Sequence, residues 1–235
     1  METEGFLKSR MRENRTYGSV RGSDIPSRLI NEKGASSCLL DGINVEERRL
    51  ILVDPADRAL GEGEKLSVHQ QGVLHRAFSL FLLNEAGELL LQRRAMGKYH
   101  SGGLWTNSCC SHPFPGAELA DCVAVRTREE LGAEVEQLQE LGRFLYYKDF
   151  GDGLKEYEVD HVFVGLCRGA INPDPQEAME VAWVSPLWAQ EDLRLHPERY
   201  TAWYPTAFAI ALPGWTEQNR KKYNANYAAV PLEVK

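Results

Sequence analysis

One sustained helical period lies near the middle of the chain, at residues 118–132, with strand-length apolar runs on both sides of it. This arrangement narrows the fold class more than any other feature of the sequence. Ala120, Val123, Ala124, Thr127 and Leu131 recur three or four residues apart, so they share one helix face, and Gly132 supplies the C-terminal stop. Arg126 and Glu130, four apart, fall along the edge of that stripe. Residues 49–53, 75–83, 88–93 and 104–108 read as strands before the helix, and 141–148, 156–166 and 181–185 after it. Turn chemistry at 84–87 and 151–153 predicts hairpins. Closing helices are expected over 186–193, capped by Ser185, and over 200–212 and 214–226. Strands, one central helix, more strands and final helices predict an α/β/α sandwich around a mixed β-sheet.

A length of 235 residues suits one domain. Residues 1–45 are polar, contain Gly18, Gly22 and Pro26, and show no sustained period, so an extension or loosely ordered cap is expected there and the ordered domain over 46–235. With Glu2 and Glu4 and no apolar core, no secretory signal is expected, while Arg10, Arg12, Arg15, Arg21 and Arg28 give the segment one property of a transit peptide. No apolar run approaches the roughly 18 residues of a membrane span, so membrane insertion is not expected. The formal net charge of -7 argues against nucleic acid as a partner, and an anionic ligand must therefore meet a local basic cluster. Five cysteines, odd in number and without a CxxC, fit reduced thiols in a cytoplasm.

The residues that could carry chemistry fall into three groups. His69, His75 and His112 lie close to predicted strand ends. Glu156 and Glu158 alternate along a strand and so share a face, which continues through Asp160 while Val159 turns to the core. Three imidazoles and two carboxylates make a site for one divalent ion such as Zn, Mn or Mg, roughly octahedral if all five bind. Against this stands the plainer reading of a solvated strand face and unrelated histidines. In Thr106-Asn-Ser-Cys-Cys-Ser-His-Pro113, alternation turns Cys110 and His112 to the side of Ser108 and Cys109 to the other. Cys110 is thus the thiol that can face a site, although a free cysteine is more often a small buried hydrophobe. Lys65, Arg93, Arg94, Lys98 and Arg126 gather near this segment in an acidic protein, a pattern that invites a diphosphate.

With these residues in place, the chain resembles the type I isopentenyl-diphosphate Delta-isomerases of the Nudix superfamily. The resemblance rests on Thr106–Pro113, on Leu74-His-Arg-Ala-Phe-Ser79 and on Glu156-Tyr-Glu-Val159, and covers about residues 47–212. It implies the Nudix α/β/α fold and interconversion of isopentenyl and dimethylallyl diphosphate through a carbocation-like state. It implies Cys110 and Glu158 as opposed acid and base, with His69, His75, His112, Glu156 and Glu158 holding a divalent metal. A second ion, Mg on the substrate's diphosphate, would lie near Glu130. Lys65, Arg94, Lys98 and Arg126 match the diphosphate-contacting cations. Tyr146 would lie beside Glu158, though a one-residue gap would exchange it for Tyr147. Trp105 would line the hydrocarbon pocket, and Trp203 is the best match for a tryptophan that stabilises positive charge. The expected partner is a small isoprenoid diphosphate, on a monomer or weak homo-oligomer.

Two other readings compete. A Nudix hydrolase needs Arg-Glu where this chain has Val125-Arg126, although Glu129-Glu-Leu-Gly132 matches. A structural zinc module would use Cys109, Cys110 and the histidines, but neither CxxC nor HxxxH occurs.

Overall fold

The structure, a computed structural model, describes the backbone of residues 49–222 and the side chains of residues 49–213. The extension expected over 1–45 and the end of the last predicted helix lie outside these residues. In chain order the elements are β1 (Leu50–Val53), β2 (Ala59–Gly63), α1 (Lys65–Gln71), β3 (His75–Leu83), β4 (Leu89–Arg94), β5 (Trp105–Thr106) and β6 (Cys109–Ser111). They continue with α2 (Leu119–Leu131), β7 (Glu134–Asp149), β8 (Lys155–Arg168), β9 (Ala178–Val184), α3 (Pro186–Leu195), a 3-10 turn (Pro197–Arg199) and α4 (Tyr204–Lys222). Among the described residues no helix is long and apolar enough to cross a membrane.

The strands form one mixed sheet organised around β3. This strand pairs in parallel with β8 from His75 opposite Glu158 to Leu83 opposite Leu166, and antiparallel with β6, β1 and β4. Its sequence does not alternate polar with apolar because both faces are covered. Phe78, Leu80 and Leu82 pack with Cys109, Cys122, Val123 and Leu131, the last three from α2. Phe81 and Leu83 pack on the opposite side with Tyr204, Ala207 and Phe208 of α4. Helices on both faces of one sheet make the expected α/β/α sandwich, and α2 occupies the place where helical period was read.

Gly132 ends α2 at φ 63°, its N–H bonded to Arg128 O at 2.9 Å. A β-carbon there would stand 2.9 Å from Asn172 O, so both backbone sign and space select glycine.

Several features differ from the sequence expectation, among them the strand β2, for which no pattern was read. The single strand over 104–108 is two short strands, because Asn107 and Ser108 carry the chain from β4 to β3. Ser108 Oγ donates to Leu90 O at 2.6 Å and accepts from Leu82 N at 2.7 Å, tying that crossing to both strands. Strand β7 begins at Glu134 rather than 141; it pairs only with β8, so its outer edge keeps polar residues and hides the strand pattern. The short helix α1 was not foreseen; Glu64 caps it by accepting from Leu66 N and Ser67 N, and Gly72 closes it at φ 67°. Finally, α4 is one helix with Pro213 inside it, where a break between 212 and 214 was expected.

Candidate active site

The sheet brings three of the six histidines and two carboxylates together at one end of β3. His75 opens β3 opposite Glu158, Glu156 lies two residues earlier on the same face of β8, and His69 sits in the last turn of α1. His69 Nδ1 is 2.6 Å from Lys65 O and His75 Nδ1 is 2.9 Å from Val73 O, so each ring donates from Nδ1 and points Nε2 inward. His75 Nε2 lies 3.2 Å from His112 Nε2 and 3.5 Å from Glu158 Oε1, and His112 Nε2 lies 3.0 Å from that oxygen. His69 Nε2 faces Glu156 Oε2 at 3.3 Å, and both atoms are buried without a hydrogen-bond partner. The ligand atoms of His69, His75, His112 and Glu156 all lie within 4.8 Å of one another. So many lone pairs converging away from water require positive charge between them. This His/Glu group can hold a metal ion, and its inward nitrogens, braced from behind by backbone carbonyls, fit one.

The titration behaviour of the group agrees. Burial and the neighbouring His75 hold His112 well below its ordinary range, so it is neutral. Burial alone would lower His69, but the Glu156 carboxylate outweighs it and raises the ring's proton affinity. A proton and a metal compete for the same nitrogen there. Burial, with the charge of Glu156, pushes Glu158 up to about 7. Burial also opposes ionisation of Glu156, yet the contact from His100 and the neighbouring His69 hold it well below the usual carboxylate range.

On the other flank of β3, Cys110 lies opposite Ser79. Its Sγ is 3.7 Å from Ser79 Oγ, which donates to Asp160 Oδ2 at 2.8 Å. Burial, then the charges of Asp160 and Glu158, push the Cys110 thiol well above its ordinary range, so it carries its proton. Cys109 points the other way and is fully buried in the core. Tyr146 stands opposite Glu158 across the β7–β8 ladder, its hydroxyl buried without a partner and its ring edge-on to Trp203 at 6.2 Å. Tyr147 has the opposite parity, is 56% exposed and packs on Tyr157. The register therefore brings Tyr146, and not Tyr147, to Glu158.

Cys110, His112, Glu156 and Glu158 line a cleft enclosing about 830 Å³, part of it open solvent. Lys65, Arg94, Lys98, Arg126, Glu130 and Glu177 line the same cleft. Lys98 pairs with Glu177, and Arg126 donates to Ser111 Oγ at 3.0 Å and to Glu130 Oε1 at 2.6 Å. Burial and the charges of Lys98 and Arg126 lower the proton affinity of Lys65, a sign of positive potential that an anion would relieve. Arg94 sits with its guanidinium 5.4 Å from the Trp203 ring centre.

Arg93 and Trp105, both expected at the site, make their contacts elsewhere. Arg93, of opposite parity to Arg94 on β4, donates to Gly103 O at 2.8 Å and faces Glu180. Trp105 does not line the cleft; it is 5% exposed in the core with Leu91, Val184 and Tyr200, because β5 lays it against β4 and α4. Trp203 does line the cleft. The structure also adds His100, whose Nε2 is 2.6 Å from Glu156 Oε1, together with Tyr99 and Glu177. His100 stands in the irregular segment between β4 and β5, where no period marks which way a side chain points. Its only sequence signal was its place two residues after Lys98, ahead of the Gly102-Gly103 turn.

Comparison with known proteins gives a consistent picture. The NUDIX domain family matches residues 73–204. Isopentenyl-diphosphate Delta-isomerase 2 of Aromatoleum aromaticum is 47% identical over 157 residues, 67% of this chain and 82% of that protein. The isopentenyl-diphosphate Delta-isomerase of Streptomyces coelicolor is 46% identical over 72% of this chain and 85% of its own length. That of Serratia proteamaculans is 44% identical over 68% and 89%. Among solved structures, DR0079 of Deinococcus radiodurans superposes with a TM-score of 0.51 at 20% identity, over 63% of this chain and 89% of that one, a likeness of fold.

Proposed function

Since this chain belongs to the isopentenyl-diphosphate Delta-isomerases of the Nudix domain family, we propose that Cys110 and Glu158 are the opposed acid and base of its reaction. The reaction interconverts isopentenyl and dimethylallyl diphosphate in isoprenoid biosynthesis. The observation that carries the assignment is that a protonated thiol and a carboxyl group enter one cleft from the two flanks of β3.

Moving the double bond means adding a proton to the terminal alkene carbon and removing one from the carbon nearer the diphosphate, through a tertiary cation. Cys110, which holds its proton at neutral pH, can deliver it in one direction and recover it in the other. Glu158 serves as its counterpart, and Tyr146 steadies it from the neighbouring strand. The indole face of Trp203 and the nearby carboxylates stabilise the cation between them. Lys65, Arg94, Lys98 and Arg126 anchor the diphosphate.

His69, His75, His112, Glu156 and Glu158 would hold one divalent ion, Zn, Mn or Mg, and Glu130 would help hold Mg on the diphosphate. Bound metal supplies fixed positive charge that orients Glu158 and favours its anion. The Nudix hydrolase reading fares worse, because Val125-Arg126 stands where that pattern has Arg-Glu, which leaves its set of metal-binding carboxylates incomplete. Cys110 must remain a free thiol, so we place the enzyme in a reducing compartment, the cytoplasm.

The test is turnover of isopentenyl diphosphate with Mg in deuterated water, read as deuterium in the allylic product. Cys110→Ala and Glu158→Gln should each lower turnover roughly 10²–10⁴-fold while the protein stays folded. Full activity in either variant would remove that residue from the acid–base pair.

A further inference from the structure

We infer that His100 is a positioning residue that commits Glu156 to the metal through one oxygen only. The inference rests on the metal centre proposed above. Glu156 has two carboxylate oxygens with different surroundings: Oε2 faces His69 Nε2 at 3.3 Å and His75 Nε2 at 3.9 Å, whereas Oε1 lies 2.6 Å from His100 Nε2. His100 Nδ1 is 3.2 Å from Ser101 Oγ, a hydroxyl able to donate, which leaves Nε2 as the protonated nitrogen. Charge assists the resulting N–H···O bond, and Oε1 is thereby occupied. That bond holds Oε1 toward His100 and leaves Oε2 as the oxygen turned to the histidine nitrogens, and a carboxylate free at both ends would lose that asymmetry.

The ring has little freedom to do otherwise. Phe150 stacks on its face at 4.4 Å and 16°, and Trp203 meets it edge-on at 5.9 Å. Arg94 Nη2 donates to the His100 carbonyl at 3.3 Å. His100 therefore joins Glu156 to the segment that carries Lys98, linking the metal centre to the anion end through one residue. The bond persists whether the ring is neutral or protonated, because Nε2–H is present in both forms.

The experiment uses metal-loaded full-length enzyme and titrates the metal away with a chelator, following bound metal by elemental analysis. His100→Phe keeps an aromatic ring against Phe150 but removes the donor; His100→Gln keeps a donor without the ring. His100→Phe should bind the metal about 10–100-fold more weakly, as loss of an outer partner of a ligand does. His100→Gln should stay close to the parent, as should Phe150→Leu, which removes only the stack. Equal metal retention by His100→Phe and the parent would overturn the inference while leaving the metal centre standing. Equal loss in His100→Gln and His100→Phe would overturn it too, assigning the effect to ring packing. A parent that binds no metal would overturn the proposed centre and this inference together.

Discussion

Cys110 and Glu158 are separated by a single strand: Cys110 lies opposite Ser79 and Glu158 opposite His75, four residues apart along β3. The scaffold that spaces the proposed acid–base pair is therefore a run of backbone hydrogen bonds, buried on both faces. A rigid element of that kind holds reacting groups more closely than a loop would.

The state of the thiol can be tested by alkylation. Burial disfavours the thiolate, so the raised Cys110 pKa means that the reactive form is scarce at neutral pH and grows as pH rises toward it. Iodoacetamide should label Cys110 slowly at pH 7, with a rate still climbing beyond the ordinary thiol value of about 8.5. Peptide mass mapping across pH checks this, and a rate that levels off below pH 8 would contradict it.

The two tryptophans should separate cleanly. Trp105 is core, so Trp105→Ala should cost about 3–5 kcal/mol of stability, seen as a lower denaturant midpoint. Trp203 lines the cleft and donates Nε1–H to Asn107 Oδ1 at 3.2 Å. Trp203→Phe should lower kcat roughly tenfold, with KM for isopentenyl diphosphate little changed, as loss of up to about 2 kcal/mol of cation–π stabilisation implies. A change in KM alone would assign Trp203 to ground-state binding instead.

The cations at the anion end should divide likewise. Lys98→Ala leaves the Glu177 carboxylate facing the diphosphate, so it should weaken binding of inorganic pyrophosphate, and Lys98→Ala/Glu177→Gln should recover part of the loss. Isothermal titration measures both. Arg126→Ala strands the buried Glu130 carboxylate, and should destabilise the fold by about 3 kcal/mol or more. A Lys98→Ala double variant no better than the single would show that Glu177 does not oppose the ligand.

How much was legible in the sequence follows from where side-chain direction obeys a period. Glu156 and Glu158, Cys110 and His112, and the α2 stripe lie in regular elements, where parity or helical spacing fixes the facing. His161, of opposite parity on β8, faces away from Glu156 and Glu158 and pairs with Asp57 and Glu140. Only the resemblance assigns Trp105 to the pocket, and the two-residue strand that buries it offers no alternation by which to judge its facing. His100 and Glu177 were missed because they sit in irregular segments and meet Glu156 and Lys98 only through tertiary packing. The inner end of β7 stayed hidden because an edge strand needs no apolar face.

The adjacent cysteines of β6 carry one further consequence. Cys109 and Cys110 are chemically identical, and only odd-or-even position along a three-residue strand makes one of them inert filling and the other accessible to the cleft. Shifting that strand by one step would exchange their fates and turn His112 away as well. Insertions or deletions between Asn107 and His112 should thus abolish catalysis even when every residue type needed for it is still present. The chemistry is encoded as much in counting as in composition.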